Sequence, residues 1–403
     1  MDALRESPAR ALARESTDWS RVAFGVALGA YAAYQQFKLP PILPDFLARY
    51  PHSPLTAAGF MSIYALVGLI ASAAIGRKLD RNMGIGVAAL IGLTVIGVTL
   101  ALTAPQSASI MLLSRGFEGL AFAIAAIAGP AIAAAAAKPR DLPIVTGLLA
   151  GWIPIGQIVA ALAALALHDW RWLWIIGLLM GLPLGLWAWV LLREPRSGKA
   201  AQRPSALHPD AAQRKQLIFA GTIFMLWSGQ YFAFMTWLTQ YLTSVLALGP
   251  AASVLAYLVP VVVLLGFNLG TGWALRHGLP LMPAMMVALI GQALVWFAQP
   301  WLTGGLGLIG LVVYGIGAGV VPTCLFQSPH AIARGTAGAS FFGIVMTGRN
   351  IGVFMGLLLL AFLVGTDRLA LHLSWTAAAQ AIGCLTLAAV GVALLLRRSL
   401  LNR

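Results

Sequence analysis

Four ionisable residues stand inside long apolar stretches of this 403-residue chain: Lys38, Arg115, Glu118 and Arg349. A charge near the centre of a bilayer costs at least ~2.5–3.5 kcal/mol, so such residues face a cavity or a partner. Arg349 lies about ten residues into the run 339–363, which places it roughly 15 Å deep if the run is helical. Its planar fork of N–H donors suits a carboxylate or phosphate-like group. The alternative is a structural arginine donating to backbone carbonyls. Arg115 and Glu118 are three apart and can pair on one helix face. Either that pair merely organises its own helix, or Glu118 is a proton-coupling carboxylate whose hold on the proton Arg115 tunes. Of the twelve acidic residues, only Glu118 falls within a span.

Lys38 stands near the end of its apolar run, where a long side chain can snorkel to the interface. Against that, Tyr31, Gln35 and Lys38 follow at i, i+4 and i+7 with Tyr34 nearby, a polar stripe on one face of an otherwise apolar helix. Such a stripe belongs on a cavity. A second set is aromatic and amide-rich: Trp227, Gln230, Tyr231, Phe234, Trp237 and Tyr241 lie in one run. An interfacial aromatic belt accounts for Trp237 and Tyr241, whereas Trp227, Gln230 and Tyr231 are too deep for it. Tyr314 and Asn268 add hydrogen-bonding groups in other runs. Three cations to one acid, beside aromatic and amide side chains, suit an organic anion with an unsaturated or aromatic body.

These residues need a membrane-spanning frame, and the composition supplies one. The chain is 60% hydrophobic and 9% charged, with a mean hydropathy of +0.86. Soluble proteins carry about 25% charged residues, so a water-soluble domain is excluded, and so is disorder. Two cysteines in apolar runs, Cys324 and Cys384, argue against a disulfide framework. Helices are the only spanning structure that fits runs of this length. Twelve are predicted, over 22–42, 55–75, 84–104, 109–131, 142–167, 172–192, 217–244, 252–274, 281–299, 306–326, 339–363 and 374–396. The start, with mixed charges and no short cleavable apolar core, does not read as a signal peptide.

The formal charge of +14 raises nucleic acid as a partner, but the distribution of the charges answers otherwise. With both termini inside, 20 Lys/Arg fall on the cytoplasmic side, three on the outer side and three within spans, which accounts for all 26. That bias predicts cytoplasmic termini in an inner or plasma membrane, and contact with anionic lipid headgroups instead of nucleic acid. The basic, proline-containing stretch 193–216 divides two six-span halves, 22–192 and 217–396, flanked by tails 1–21 and 397–403. Equal halves of this kind are the mark of a duplicated transporter body. Glycines at four-residue spacing, Gly147 and Gly151 with Pro154 and Gly156, and Gly348, Gly352 and Gly356, let helices approach closely. They are either seams along which the halves rock or ordinary tight packing.

At this point the chain resembles the major facilitator superfamily over essentially its whole length. Gly76, Asp80 and Arg81 match that family's G-x-x-x-D-R-x-G loop between spans 2 and 3, the second glycine coming one residue late at Gly84. Arg115-Gly-Phe-Glu118-Gly119 is similar to its span 4 pattern, with Glu118 in place of Gln, and Asp169-Trp170-Arg171-Trp172 and Arg193-Glu194-Pro195 are similar to the segments flanking span 6. The resemblance implies an all-α fold of two six-helix halves. It also implies a central cavity lined by spans 1, 4, 7 and 10, with Lys38 and Arg115 in it, and a cytoplasmic latch at Gly76, Asp80 and Arg81.

The expected function is secondary transport of a small, carboxylate-type organic anion by alternating access, coupled to protons, by a monomer without cofactor or metal. The substrate-binding residues expected are Arg349, Arg115, Lys38, Tyr31, Gln35, Trp227, Gln230, Tyr231, Tyr314 and Asn268, with Glu118 for the proton. The runner-up is a multidrug or metabolite exporter working as a proton antiporter. Cationic drugs call for carboxylates, and Glu118 alone is thin provision. A receptor or scaffold is the non-transporting alternative. An enzyme is disfavoured, since no span body holds a histidine and neither H-E-x-x-H nor paired carboxylates occur. A phosphate-binding Gly-Lys-Ser loop is also absent from the sequence.

Overall fold

The computed structural model describes residues 17–81, 83–138, 141–167, 169–193, 209–333, 339–365 and 370–401. Among these residues the chain is helical, without strands. The first half comprises α1 (Trp19–Phe37), the short α2 (Leu43–Arg49), α3 (Pro54–Arg81), α4 (Met83–Thr103), α5 (Ala108–Ala136), α6 (Leu142–Ala150), α7 (Trp152–Ala166) and α8 (Arg171–Arg193). The second comprises α9 (Ala211–Ser244), α10 (Pro250–Arg276), α11 (Leu281–Ala298), α12 (Gly304–Ala333), α13 (Ala339–Val364) and α14 (Trp375–Leu401). Ten described helices are long and apolar enough to cross a membrane. The two expected spans that fall short are α1, diluted by its polar stripe, and the span at 142–167, which is divided in two.

Each departure from the expected spans has a local cause. α1 stops at Phe37 and not at 42, because Pro40 and Pro41 cannot continue an α-helix; a 3-10 turn over Pro40–Ile42 follows. α9 begins at Ala211, inside the stretch expected as linker, because Asp210 and Gln213 form a reciprocal capping box. The break between α6 and α7 falls at Gly151, three residues before Pro154. Pro154 has no N–H to give the Ala150 carbonyl. Asn268 Nδ2 of α10 donates to that carbonyl instead, at 3.1 Å, so a side chain from the other half satisfies it.

The helix ends sort onto two faces. At the linker end, Arg21 of α1 reaches the Leu191 carbonyl of α8 at 3.3 Å, and Gln216 of α9 reaches Ser399 of α14 at 2.8 Å. At the far end, Phe46 of α2 meets Trp170, and Tyr241 of α9 meets Trp375 of α14. The halves touch through α3 with α13, α7 with α10, and the Pro40–Ile42 turn with α9.

The glycine seams lie within halves, not between them. A Cβ on Gly348, Gly352 or Gly356 of α13 would run into the backbone of Gly221, Met225 or Gly229 of α9, all in the second half. Gly156 of α7 likewise presses on Ala30, Ala33 and Tyr34 of α1. Only Gly151 meets the opposite half, at Leu265, while Gly147 has no neighbour within 4 Å. The rocking-seam reading is therefore corrected for Gly156, Gly348, Gly352 and Gly356, whose close backbone approach binds helices of one half together. Of the expected latch, the side chains of Asp80 and Arg81 and the surroundings of Gly76 lie outside what is described.

Candidate functional site

The first half folds its charges onto one another. Lys38 caps the C-terminus of α1, where the polar stripe turns inward, and its Nζ donates to Glu118 Oε1 of α5 at 2.7 Å. Glu118 Oε2 accepts from Arg115 Nη1 at 2.6 Å and from the Tyr64 hydroxyl of α3 at 2.8 Å. All three charged side chains are fully buried. Snorkelling of Lys38 is thereby excluded. Arg115 spends its remaining donors on backbone carbonyls, those of Phe60 (3.0 Å), Gln35 and Gln36 (3.2 Å each). The Tyr64 ring lies 4.4 Å from its guanidinium carbon. Gln35 Oε1 accepts from Lys38 at 2.7 Å, Gln35 Nε2 donates to the Tyr31 hydroxyl at 2.9 Å, and Tyr31 donates to Thr94 at 3.3 Å. The Tyr31–Gln35–Lys38 stripe is thus one continuous hydrogen-bonded line, aimed at Glu118.

The corresponding interior of the second half is neutral. Gln230 Oε1 of α9 accepts from Trp296 Nε1 of α11 at 2.8 Å and from the Tyr314 hydroxyl of α12 at 2.7 Å. Phe234 stacks on Tyr314 with ring centroids 3.7 Å apart. Trp227 Nε1 donates to Gln292 at 3.1 Å. Amides and aromatics here occupy the place that ions occupy in the first half.

Between the halves lies a cavity of about 340 Å3, walled by Trp152 and Pro154 from the first half and by Trp227, Tyr231, Asn268 and Arg349 from the second. Among the described residues, Arg349 is the only charged one in its lining. Among the described residues, the Arg349 guanidinium makes one hydrogen bond, to the neighbouring Asn350 at 3.2 Å, and meets no carboxylate. Tyr231 donates to Gln157 of α7 at 3.0 Å and Gln157 donates to Tyr257 of α10 at 3.3 Å, which bridges the halves beside the cavity. Thr323 of α12 donates to Asn268, whose amide already holds the Ala150 carbonyl. Toward the far end the halves are shut: Thr239 donates to the Pro40 carbonyl at 2.5 Å, and Phe37 packs on Phe232 at 5.6 Å.

The expected site residues thus divide into three groups. Arg349, Trp227, Tyr231 and Asn268 come together on the cavity. Lys38, Arg115, Glu118, Tyr31 and Gln35 come together in the sealed ionic cluster and do not line that cavity. Gln230 and Tyr314 belong to the neutral knot. Sequence reasoning missed Tyr64, Gln157 and Gln292, although each is a polar side chain inside an apolar run, the same signal that singled out the charges.

A cavity between two helical halves, shut at one end of a membrane bundle and holding one unpaired cation, is the arrangement of a transmembrane carrier. Residues 22–357 match the Major Facilitator Superfamily. The match spans most of the chain, and the chain belongs to that family: it is a multi-pass membrane transporter. No curated protein matches it.

Proposed function

We propose that the protein is a secondary transporter that carries a small organic monoanion by alternating access, coupled to protons. The observation that carries this reading is Arg349, a cation that among the described residues has no carboxylate partner, in a cavity whose described lining holds no acid. A buried unpaired guanidinium is costly, and a substrate carboxylate offers the bidentate acceptor that matches it. The aromatic walls, Trp152, Trp227 and Tyr231, suit a planar apolar body. The volume of about 340 Å3 is at the small end for ligand pockets. One cation selects a single negative charge. The coupling site in this reading is the cluster around Glu118, whose partners Lys38 and Arg115 add a second, sealed positive centre on the path. The cation-drug exporter loses ground, since no carboxylate of the described residues lines the cavity.

The positive-inside bias puts the linker end in the cytoplasm of a twelve-span protein in the inner membrane, working as a monomer. The cavity then lies on the cytoplasmic side of the Thr239–Pro40 seal. Gly76, Asp80 and Arg81 serve as a latch at that end. The test is a thermal-shift comparison of the purified protein with benzoate, short aliphatic carboxylates and tetraphenylphosphonium, repeated with Arg349→Gln. Stabilisation by a carboxylate that vanishes in the variant is expected. Stabilisation by the lipophilic cation, equal in both proteins, would overturn the anion reading and promote the exporter. A carboxylate that stabilises both equally would move the site away from Arg349.

A further inference from the structure

The buried cluster holds two cations against one carboxylate, and its hydrogen bonds show which member has a proton to spare. Glu118 is pinned in its ionised form. Oε1 accepts from Lys38, and Oε2 accepts from both Arg115 and Tyr64. Every donor around it favours the charged carboxylate. Arg115 does not lose its proton in proteins, and its donors are engaged on three backbone carbonyls and Glu118. Arg115 and Glu118 therefore form a closed neutral pair. The surplus positive charge is that of Lys38.

An ammonium has three N–H donors, yet Lys38 Nζ has two acceptors among the described residues, Gln35 Oε1 and Glu118 Oε1, each at 2.7 Å. Its remaining neighbour is the face of Trp174, 4.4 Å from the nitrogen to the ring centre. A neutral amine keeps two N–H groups. It can make both observed hydrogen bonds and gives up the charge attraction to Glu118 and the cation–π contact, the latter worth about 2 kcal/mol when desolvated. The site accommodates either charge state of Lys38 without rearrangement. The titratable or charged groups packed on it are Glu118 and Arg115 of α5, Tyr64 of α3, and Tyr31 and Tyr34 of its own helix. Of these, Tyr34 is committed to the Leu173 carbonyl at 2.6 Å and Tyr31 to Thr94.

Access follows from position. Lys38 lies between Phe37, packed on Phe232, and Pro40, which accepts from Thr239; these contacts are the far-end seal. Parting the halves at that end unpacks Phe37 and Pro40, on either side of Lys38 in the chain, and brings water to it.

From this we infer that Lys38, and not Glu118, carries the coupling proton. The inference deepens the proposed function and rests on its proton coupling. With the far end open, the Nζ lone pair of Lys38 takes a proton from water and the amine becomes an ammonium. With the linker end open, the ammonium returns the proton to water while Glu118 stays ionised throughout. The cluster alternates between a charge of +1 and zero. One proton loaded with one monoanion at Arg349 makes the cycle electroneutral.

The experiment uses the full-length protein with Lys78, Lys138, Lys199 and Lys215 replaced by arginine, which leaves Lys38 as the sole lysine and its core untouched. NMR of isotope-labelled lysine reports the charge on Nζ from mildly acid to mildly alkaline conditions. Infrared spectroscopy of the same samples reports any protonated carboxyl, with Glu118→Gln for assignment. Expected is a shift of the lysine signal from ammonium to amine with no carboxyl protonation that Glu118→Gln removes. A lysine that stays ammonium, together with such a carboxyl band in acid, places the proton on Glu118 and overturns the inference. A lysine that stays ammonium with no such band overturns it too, since the cluster then carries no proton. Neither readout needs a substrate, so an anion reading that fails at Arg349 is distinguished from a failure here.

Discussion

The two halves solve the same problem in opposite ways. Each places polar side chains from its first helix against those of its neighbours at the centre of the bundle. In the first half these are ions, Lys38, Arg115 and Glu118, locked together with no exposed surface. In the second they are neutral amides and rings, Gln230, Trp296 and Tyr314, and that half's deep cation, Arg349, lies on the cavity without a countercharge among the described residues. Buried ions are tolerated only when matched and hydrogen-bonded. In the proposed reading the ion-paired set changes its charge inside a fixed frame, and the cavity cation receives its partner from outside.

Breaking the matched set should do the most damage. Glu118→Leu leaves Lys38 and Arg115 facing each other without a carboxylate, a loss of about 3–5 kcal/mol, and thermal unfolding should show it as a large drop in Tm or as failure to accumulate folded protein. The same change in the neutral knot, Gln230→Leu, strands the Trp296 and Tyr314 donors and should cost about 1–3 kcal/mol. If the two variants lose equal stability, the distinction between an ionic and a neutral half falls. Gly352→Val probes the frame itself, since its Cβ would meet the Met225 backbone. Overpacking of this kind costs about 1–3 kcal/mol, and its effect on Tm should be matched by a loss of proper assembly within the second half alone.

Sequence and structure agree where a signal is local and diverge where it depends on a partner. The ions at 38, 115, 118 and 349 are legible because a charge in an apolar run stands out at once. Pairing of Arg115 with Glu118 follows from spacing on one helix, but Lys38 reaches Glu118 across 80 positions, and no helical period reports that. Pro154 announces a disturbed helix in span 5. That the freed Ala150 carbonyl is met by Asn268 from the other half is invisible without the fold. The spacing of Gly348, Gly352 and Gly356 reveals a close-packed face and not which helix it faces, so a contact within one half was readable as one between halves. Tyr64 carries no charge, and its share in the cluster emerges only when α3 is placed beside α5.

Asn268→Leu refines the comparison at the junction of the halves. It removes the donor that serves the Ala150 carbonyl and the acceptor that serves Thr323. One unsatisfied backbone group costs about 1–3 kcal/mol, less than the loss of Glu118. Glu118→Leu should lower Tm clearly further than Asn268→Leu does. A reversed order would mean that the bent helix at Gly151, and not the ionic cluster, anchors the first half.

The smallest effect on stability is expected at Arg349, and it is the most informative. Arg349→Gln removes a deep cation whose hydrogen-bond partner among the described residues is the Asn350 side chain alone. The desolvation cost of that charge disappears with it, so stability without ligand should stay within about 1 kcal/mol of wild type or rise slightly. A structural arginine holding the bundle together would instead show a clear fall in Tm. Unchanged or raised stability with lost response to carboxylates is what separates a cation kept for a substrate from one kept for the fold. That outcome would make the second half the place where the anion is recognised and leave the first half to handle the proton.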